Sequence, residues 1–302
     1  MHKEFYSNGK LLLSGEYAIL DGALGLAVPT TLGQSLQVVD SDSGTLRWAS
    51  FDENAEIWFQ AEFELESFRI KTASDEKTAQ TLVELLIEAR QQNPDFLSKN
   101  SGVEVETRLG FPRSWGLGTS STLINNIAQW AQVDAYQLLW NAFGGSGYDI
   151  ACAQHSAPIT YQVQNGKPAV NEVDFDPLFK ESLYFVHLNQ KQSSKEAIAA
   201  YRKQEFNQKD LIHDISSLTE KMVNAATLQE FQSLMEQHEA ILSNVLQIPT
   251  VKSQLFSDYP GALKSLGAWG GDFVLAAGNQ HTLDYFSAKG YPTVIPFSKM
   301  VL

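Results

Sequence analysis

Hydrophobic and polar residues alternate along residues 57–65, so that one face is hydrophobic and the other is mostly polar. This two-residue period predicts a half-buried antiparallel strand. Val103 and Val105 alternate with glutamates and predict a second, shorter strand. Short apolar runs at residues 11–13 and 17–20, separated by Ser-Gly-Glu, predict two further strands joined by a tight turn.

Other segments repeat their apolar residues at helical spacing. Ser74 is predicted to cap a helix whose first turn contains Asp75 and Glu76. The apolar stripe of this helix is Leu82, Leu85, Leu86 and Ala89. A second helix is predicted directly after a glycine-rich segment, and its stripe is Leu123, Ile124, Ile127, Ala128 and Ala131.

The second half of the chain continues this mixture. Helices are predicted around residues 136–140, near 210–225 and near 228–247. The inward face of the last helix is predicted to be Phe231, Leu234, Met235, Ile241, Leu242 and Val245. Further strands are predicted at residues 157–163, 183–188 and 293–296.

Between residues 164 and 177 the pattern changes to turn residues, which predicts a domain boundary. We therefore expect two domains, residues 1–170 and residues 171–302. Strands and helices mix without regular alternation, and this favours an α+β fold over a doubly wound parallel sheet.

Composition narrows the class of protein. The 302 residues carry a formal net charge of −13, which argues against a nucleic-acid partner, since that would need clustered Lys and Arg. Cys152 is the only cysteine, so an intramolecular disulfide and a cysteine-based zinc site are excluded, and the histidines lack metal-site spacing. No uncharged run approaches the ~20 residues that span a bilayer. We expect a cytoplasmic protein without a membrane segment.

The segment "WGLGTSSTLINN", which begins at Trp115, places two glycines and four small hydroxyl residues before a predicted helix. A helix N-terminus leaves about four backbone N–H groups without partners and carries roughly half a positive charge. Phosphate binding is therefore one interpretation, and a strand-to-helix turn with a serine cap is the other. A Walker A loop and a dinucleotide fingerprint are both excluded, the latter because Ser121 stands where a third glycine is needed.

Three further segments accompany this loop. Lys10 follows a glycine and opens an apolar strand in "SNGKLLLSGEYAILDG". Asp149 follows two glycines in "GSGYD", where its neighbours are predicted to be buried. The third segment, "GAWGGDF", is another glycine cluster before an apolar strand. Each alone is typical of a strand edge, a turn or a hairpin, and their combination and order point to a shared site.

With these four segments the chain resembles the GHMP kinase superfamily, named for galacto-, homoserine, mevalonate and phosphomevalonate kinases, over almost its full length. "NGKLLLSGEYAILDG", "PRSWGLGTSST" and "KSLGAWGGD" resemble the family's three motifs, and "GSGYDIA" resembles its aspartate segment in one subgroup. The resemblance implies an α+β, two-domain GHMP kinase architecture. An N-terminal domain like domain 2 of ribosomal protein S5 would be followed by a ferredoxin-like C-terminal domain, with ATP between them.

The resemblance also implies roles for particular residues. Lys10 and Asp149 match the catalytic pair, and Ser120 matches a position that contacts Mg²⁺. The expected ATP-binding loop is Gly116, Leu117, Gly118, Thr119, Ser120 and Ser121. The expected substrate-binding residues are Glu16, Tyr17, Ser146, Gly147, Lys191, Ser194, Gly267, Ala268 and Gly270.

The chain departs from the family pattern at three places. Mevalonate kinases carry a magnesium-binding glutamate before the aspartate, whereas residues 135–148 contain no acid. Trp269 stands where the third motif has a glycine, and Asn8 stands where a proline is common. The complete set of magnesium ligands and the shape of the third motif are therefore left open.

The motifs favour phosphoryl transfer from ATP to a small hydroxy acid or phosphorylated metabolite. "GKLLLSGEY" and the missing glutamate resemble phosphomevalonate kinases more than mevalonate kinases. Lys191, Ser193, Ser194 and Lys195 would form a clamp for a substrate phosphate, or else a solvated helix start.

Two alternatives stay open, a diphosphomevalonate decarboxylase-like enzyme and a non-catalytic nucleotide-binding module of the same fold. We expect a small-molecule substrate and a monomer or homodimer.

Overall fold

The structure is a computed structural model that describes residues 2–98, 101–190, 194–269 and 271–302, without the side chains of residues 194 and 195. Two compact units are present. The first contains Met1–Gly9, Leu32–Arg113 and Leu117–Gln154, and the second contains Lys10–Thr31, Ser114–Gly116 and His155–Leu302. Each unit contains three separate segments of the chain, so the units do not correspond to one division of the sequence. The domain boundary at residue 170 stays a prediction.

The strands described in the first half of the chain are β1 (His2–Ser14), β2 (Gly25–Ser41), β3 (Thr45–Phe51), β4 (Ile57–Glu64), β5 (Ile70–Ala73) and β6 (Gly102–Leu109). In the first unit they form a sheet in the order β5-β4-β3-β6-β2, and β1 pairs with β2. The β3 and β6 strands are parallel, and the other pairs with a resolved register are antiparallel. The strands predicted at residues 57–65 and 103–106 are thereby confirmed as β4 and part of β6.

Among the described residues, the helices of the first unit are α1 (Glu76–Gln92), α2 (Thr119–Ala131), α3 (Ala135–Ala142) and α4 (Tyr148–Gln154). Their apolar faces and the sheet form one core, which includes Trp48, Phe63, Leu86, Ile127 and Leu138. All four residues of the stripe predicted for α1 are buried. The cap of α1 is Asp75 rather than the predicted Ser74, because the Asp75 carboxylate accepts the N–H of Thr78 at 2.7 Å.

The second unit contains a hairpin and a second sheet. The hairpin strands β7 (Ile159–Gln164) and β8 (Lys167–Glu172) pair with each other, and β7 also pairs with residues 25–27 of β2. The second sheet is antiparallel and has the order β10-β11-β9-β12. Its strands are β9 (Leu183–His187), β10 (Leu263–Ser265), β11 (Phe273–Ala277) and β12 (Val294–Pro296).

In the described part of the second unit the helices are α5 (Ser194–Tyr201), α6 (Gln208–Val223), α7 (Leu228–Leu246), α8 (Val251–Leu255), α9 (Thr282–Ala288) and α10 (Phe297–Met300). The two long helices predicted near residues 210–225 and 228–247 are confirmed as α6 and α7. The inward face of α7 also contains His238 and Glu239, two ionisable residues that the apolar pattern did not include. Among the described residues, no helix combines the length and the hydropathy needed to cross a membrane.

Besides the Ser74 cap, two expectations from the sequence are wrong. Residues 17–20 do not form a strand, because the chain turns at Tyr17, where φ is +60°, and continues as a short 3₁₀ helix, Ala18–Asp21. Their apolar side chains are buried as part of a turn rather than a sheet. Residues 164–177 are not all irregular, because Lys167–Glu172 forms β8 after an Asn-Gly pair at 165–166. An Asn-Gly pair between strands is the usual hairpin turn, and this signal was available in the sequence.

Candidate functional site

The glycine loop leads directly into helix α2. Gly118 occupies the N-cap position with φ at +94°, a left-handed conformation that favours glycine. Because glycine has no side chain, it makes no side-chain cap to the first turn of the helix. Thr119 and Ser120 are the first helical residues, and Ser120 is exposed. The helix start therefore presents backbone N–H groups and an accessible hydroxyl, which suits an anion.

The next residues of the loop have structural roles. Leu117 is completely buried. Ser121 is also buried, and its hydroxyl donates to the carbonyl of Gly118 at 2.9 Å. Thr122 donates to the Gln34 side chain at 2.6 Å. The hydroxyls of Ser121 and Thr122 thus bind the protein itself, whereas that of Ser120 faces solvent.

A buried polar network holds α2 in the first unit, and the sequence analysis missed it. The Ser7 hydroxyl donates to Asn126 at 2.8 Å and accepts from Asn125 at 2.9 Å, while Asn126 donates to the Gln34 backbone at 2.9 Å. Asn125, Asn126 and Ser7 are each no more than 2% exposed. Two adjacent asparagines inside an apolar helical stripe were the available signal, since buried amides need partners.

Asp149 lies in the first turn of α4, and hydrogen bonds connect this helix to α2. The Asn125 side chain donates to the Ala153 carbonyl at 3.4 Å and accepts from Gln154 at 3.0 Å. Asp149 is half-buried, and one of its carboxylate oxygens accepts the N–H of Ile150 at 3.2 Å. Burial raises the pKa of Tyr136, and neighbouring groups including Asp149 raise it further. The start of α4 therefore places a carboxylate among partly buried groups within the first unit.

The predicted substrate residues before Asp149 form the entry to α4. Ser146 is 9% exposed, and the carbonyl of Gly147 accepts the N–H of Ala151 at 3.1 Å, which begins the helix. In the aspartate segment, glycines therefore precede the first turn of a helix. The glycine loop before α2 has the same arrangement.

In the second unit, Lys10 contacts the start of the glycine loop. Its ammonium donates to the carbonyl of Gly116 at 2.8 Å. Gly116 has φ at +65°, and a Cβ at this position would lie 2.2 Å from a carboxylate oxygen of Asp272. A side chain at residue 116 would therefore require the Asp272 carboxylate to move. Asp272, the last residue of the third motif, was not among the predicted site residues.

Aromatic side chains support the residue before this glycine. The Trp115 ring packs edge-on against Phe273 and lies near His187, with ring centroids 5.5 and 6.1 Å away. The His187 imidazole lies 3.4 Å from the carbonyl of Ser114. Strands β9 and β11 thus provide the surface on which Trp115 lies.

The predicted substrate residues of the first motif are buried in the second unit. Glu16 is 1% exposed, and its carboxylate accepts from Lys264 at 2.5 Å. The Tyr17 hydroxyl accepts the backbone N–H of Trp269 at 2.9 Å, and the Trp269 indole donates to the carbonyl of Pro249 at 3.2 Å. Burial raises the pKa of Tyr17, so its phenol is neutral at physiological pH.

The third motif is partly described. Ala268 is 6% exposed, and Gly267 has φ at +71° in the turn after β10. Gly270 and Lys191 were predicted to bind substrate and lie outside the described residues, as does Ser193 of the suggested phosphate clamp. Ser194 is the first residue of α5.

The two units therefore each assemble part of the predicted site. The first unit joins residues 117–121 to Ser146, Gly147 and Asp149 through the packing of α2 on α4. The second unit joins Lys10 to Gly116, and Glu16 and Tyr17 to the third motif. The catalytic, nucleotide and substrate roles of these residues stay predictions.

The residues at the loop fit a nucleotide and its magnesium ion to different degrees. The uncapped start of α2 in the first unit fits the phosphates of a nucleotide. Among the described residues there is no group of three His, Cys, Asp or Glu side chains arranged to hold a metal. Magnesium in phosphate sites uses one or two protein ligands together with phosphate and water, so Ser120 and one carboxylate would be enough.

No protein-family model matches the sequence, and no curated protein sequence matches it. Solved structures do match. Mevalonate kinase from Methanococcus jannaschii has a TM-score of 0.69, with 14% identity, over 96% of this chain and 94% of that chain. Streptococcus pneumoniae phosphomevalonate kinase, in complex with phosphomevalonate and AMPPNP, has a TM-score of 0.69, with 14% identity, over 95% of each chain. Lactococcus lactis galactokinase, complexed with galactose, has a TM-score of 0.67, with 13% identity, over 98% of this chain and 94% of that chain.

These likenesses extend over nearly the whole of each chain and over several substrate classes. At 13–14% identity they concern the arrangement of the backbone rather than the activity. Together with the mixed strands and helices described above, they confirm the expected α+β architecture, and the chain has the two-domain fold of the GHMP kinases.

Proposed function

We propose that this protein is an ATP-dependent small-molecule kinase that uses Mg²⁺. The observation that carries the proposal is the contact between the Lys10 ammonium and the Gly116 carbonyl, at 2.8 Å. It anchors a positive charge two residues before the uncapped start of α2. A lysine held at a glycine loop that opens a helix is the arrangement needed to bind and neutralise a polyphosphate.

Phosphoryl transfer requires positioning and charge stabilisation more than covalent chemistry by the protein. In the proposed mechanism the N–H groups at the start of α2 bind the phosphates of ATP. Lys10 neutralises the negative charge that develops on the transferred group, and its contact with Gly116 reduces the reorganisation needed during the reaction. Mg²⁺, when bound through the exposed Ser120 hydroxyl, would supply further positive charge to the phosphates.

Asp149 is proposed to act on the accepting hydroxyl, either by removing its proton or by orienting it. Support comes from its place in the first turn of α4, a helix that hydrogen bonds hold to α2. A binding module would not need this carboxylate, which favours an enzyme over the non-catalytic alternative.

The proposed substrate is a small hydroxy acid of the mevalonate type, with 5-phosphomevalonate as the first candidate and mevalonate as the second. The motif "SGEY" and the absence of an acid in residues 135–148 support the phosphorylated substrate. Lys191 and Ser194 are proposed to bind the substrate phosphate.

An ADP-release screen with Mg²⁺ tests the proposal. Mevalonate, 5-phosphomevalonate, homoserine and galactose are supplied separately with ATP, and the Lys10→Met variant is the control for contaminating kinases. We expect 5-phosphomevalonate to give the highest rate, without CO₂ release. Release of CO₂ and phosphate in a separate assay with diphosphomevalonate would show a decarboxylase instead. No turnover with any of these substrates would contradict the proposal, and turnover only with galactose would overturn the choice of substrate.

A further inference from the structure

Four ionisable side chains are buried together in the second unit. Glu16, His238, Glu239 and Lys264 are each at most 3% exposed. They come from the turn after β1, from the middle of α7 and from β10. Ionisable side chains are almost never fully buried without partners, so the contacts of this cluster need an explanation.

The contacts define the state of two members. The Lys264 ammonium donates to Glu16 Oε1 at 2.5 Å and to the Ser265 carbonyl at 3.0 Å, which makes Glu16 its ionised partner. His238 Nε2 accepts the backbone N–H of Gly15 at 3.1 Å. A nitrogen that accepts a hydrogen bond carries no proton, so the His238 imidazole is neutral.

Glu239 is the remaining member, and it has no ammonium of its own. Its Oε1 accepts the backbone N–H of Ser265 at 3.0 Å, and its Oε2 lies 3.3 Å from the Ser265 hydroxyl. Two carboxyl groups therefore face one ammonium and one neutral imidazole. Since Lys264 is paired with Glu16, a second carboxylate would be an uncompensated buried charge, and Glu239 would have to retain its proton.

The pKa directions agree with a protonated Glu239 and a neutral His238. Burial, opposed by Lys264 and reinforced by Glu16, raises the pKa of Glu239 to about 8. Burial also raises the pKa of Glu16, against a lowering by Lys264. Burial and the charge of Lys264 hold the pKa of His238 well below its usual range.

The cluster is not arranged for maximal stability. Among the described residues Glu16 Oε2 has no hydrogen-bond donor, and it lies 3.3 Å from His238 Nε2, itself an acceptor. Buried ion pairs of this kind contribute little stability compared with apolar residues of similar volume. A reason other than stability is therefore needed for its presence.

The position of the cluster supplies such a reason. Glu16 joins the end of β1, the strand that carries Lys10, to Lys264 in the third motif. In the same turn, Tyr17 binds the backbone of Trp269. The turn thus contacts the third motif at two points, through Glu16 and through Tyr17. The last residue of this motif, Asp272, lies against Gly116.

We propose that Glu16 and Lys264, together with a protonated Glu239, are positioning residues that hold the strand of Lys10 and the third motif in register at Gly116. None of the three touches a reacting atom. The effect on catalysis rests on the proposed kinase function, whereas the location of the proton and the coupling of Glu16 to Lys264 do not.

Thermal unfolding of the unliganded protein at pH 7 tests the cluster itself. Glu16→Gln and Lys264→Met should each lower the Tm by roughly 5 °C or more, because each leaves an unpaired buried charge. The double variant should recover at least half of the larger loss. Glu239→Gln should not lower the Tm, since glutamine replaces a neutral acid and removes the loss of stability that the raised pKa causes at pH 7. The matched control is Glu236→Gln, an exposed position on the same helix.

The pH profile of ATP turnover tests the positioning role. The wild type should lose kcat/KM above about pH 8, where Glu239 ionises, and Glu239→Gln should lack this alkaline limb. Glu236→Gln should keep it. Glu16→Gln should lower kcat and raise the KM for ATP, and adding Lys264→Met should partly reverse both changes.

Three results would overturn the inference: Glu239→Gln destabilising the protein as much as Glu16→Gln, a double variant no better than its worse parent, or an alkaline limb that persists in Glu239→Gln. If the wild type turns over no ATP, the proposed function fails, and the unfolding measurements still decide where the proton lies.

Discussion

Lys10 is half-buried on β1, and its ammonium donates to the Gly116 carbonyl at 2.8 Å. This contact fixes the direction of the ammonium. The sequence predicted Lys10 from its place after a glycine, but the partner is 106 residues away and became visible only in the fold.

Replacing Lys10 by methionine tests the charge while preserving most of the side-chain volume. We expect kcat to fall by about 10²–10³-fold, as when one preorganised stabilising group is removed from a transition state. The measurement is steady-state ADP release. Lys3→Met, an exposed position on the same strand, is the control, and a loss of similar size in both variants would contradict the proposed role.

Replacing Asp149 by asparagine removes the charge and the proton-accepting capacity but keeps the shape. We expect kcat to fall by about 10²–10⁴-fold, because general-base or orienting catalysis is lost, while the Kd for ATP stays within about threefold. Calorimetric titration with ATP and steady-state kinetics measure the two effects. Asp42→Asn at an exposed position is the control, and near-normal kcat in Asp149→Asn would refute the assignment.

At the scale of elements, the residues predicted to be functional lie in short segments next to helices and strands. The glycine loop leads into α2, the aspartate segment begins α4, and the third motif is the turn of the β10–β11 hairpin. The loop is tightly specified at Gly116, where the backbone is left-handed and Asp272 occupies the space of a side chain.

Gly116→Ala tests this fit, and the chain offers a matched control. Gly44 has nearly the same φ, +68° against +65°, but nothing within 4 Å of its Cβ position. Gly44→Ala should cost about 1 kcal/mol for the left-handed backbone alone. Gly116→Ala should cost roughly a further 1–3 kcal/mol for the clash and should weaken ATP binding. Denaturant unfolding and ATP titration measure both, and equal costs at the two positions would contradict the arrangement.

Elements with a clear period were predictable and the connections between them were less so. The alternation at residues 57–65 and the helical stripe at residues 82–89 correspond to β4 and α1. Residues 17–20 were wrongly predicted as a strand, because a short apolar run shows only that it is buried, not in which backbone conformation. The hairpin strand β8 was missed since its composition resembles a loop.

At the scale of the whole molecule, the buried ionisable groups make stability depend on pH. Glu239 has a pKa of about 8 in the folded state and about 4.5 in the unfolded chain. Between these values the folded state holds a proton that the unfolded state has lost. Its contribution is therefore fully present below about pH 4.5 and is lost as pH rises towards 8.

The comparison of wild type with Glu239→Gln isolates this contribution. The free energy of unfolding of the variant, relative to the wild type, should rise between pH 5 and 8 by up to about 1.4 kcal/mol per pH unit and then level off. His238 acts in the opposite direction below about pH 6.5, because it must stay neutral when buried, and it does so in both proteins. Urea unfolding at several pH values gives the difference, and a constant offset would contradict a protonated Glu239.

The sequence alone determined the α+β class, most of the periodic elements and the four segments that resemble GHMP kinases. These properties are local, since an apolar period or a glycine cluster is readable within about twenty residues. Only the tertiary structure decided which residues meet. Glu16 pairs with Lys264 across 248 positions of sequence, and Asp272 lies against Gly116. Such contacts depend on how separate elements pack, and a side chain's own sequence neighbourhood does not specify its distant partner.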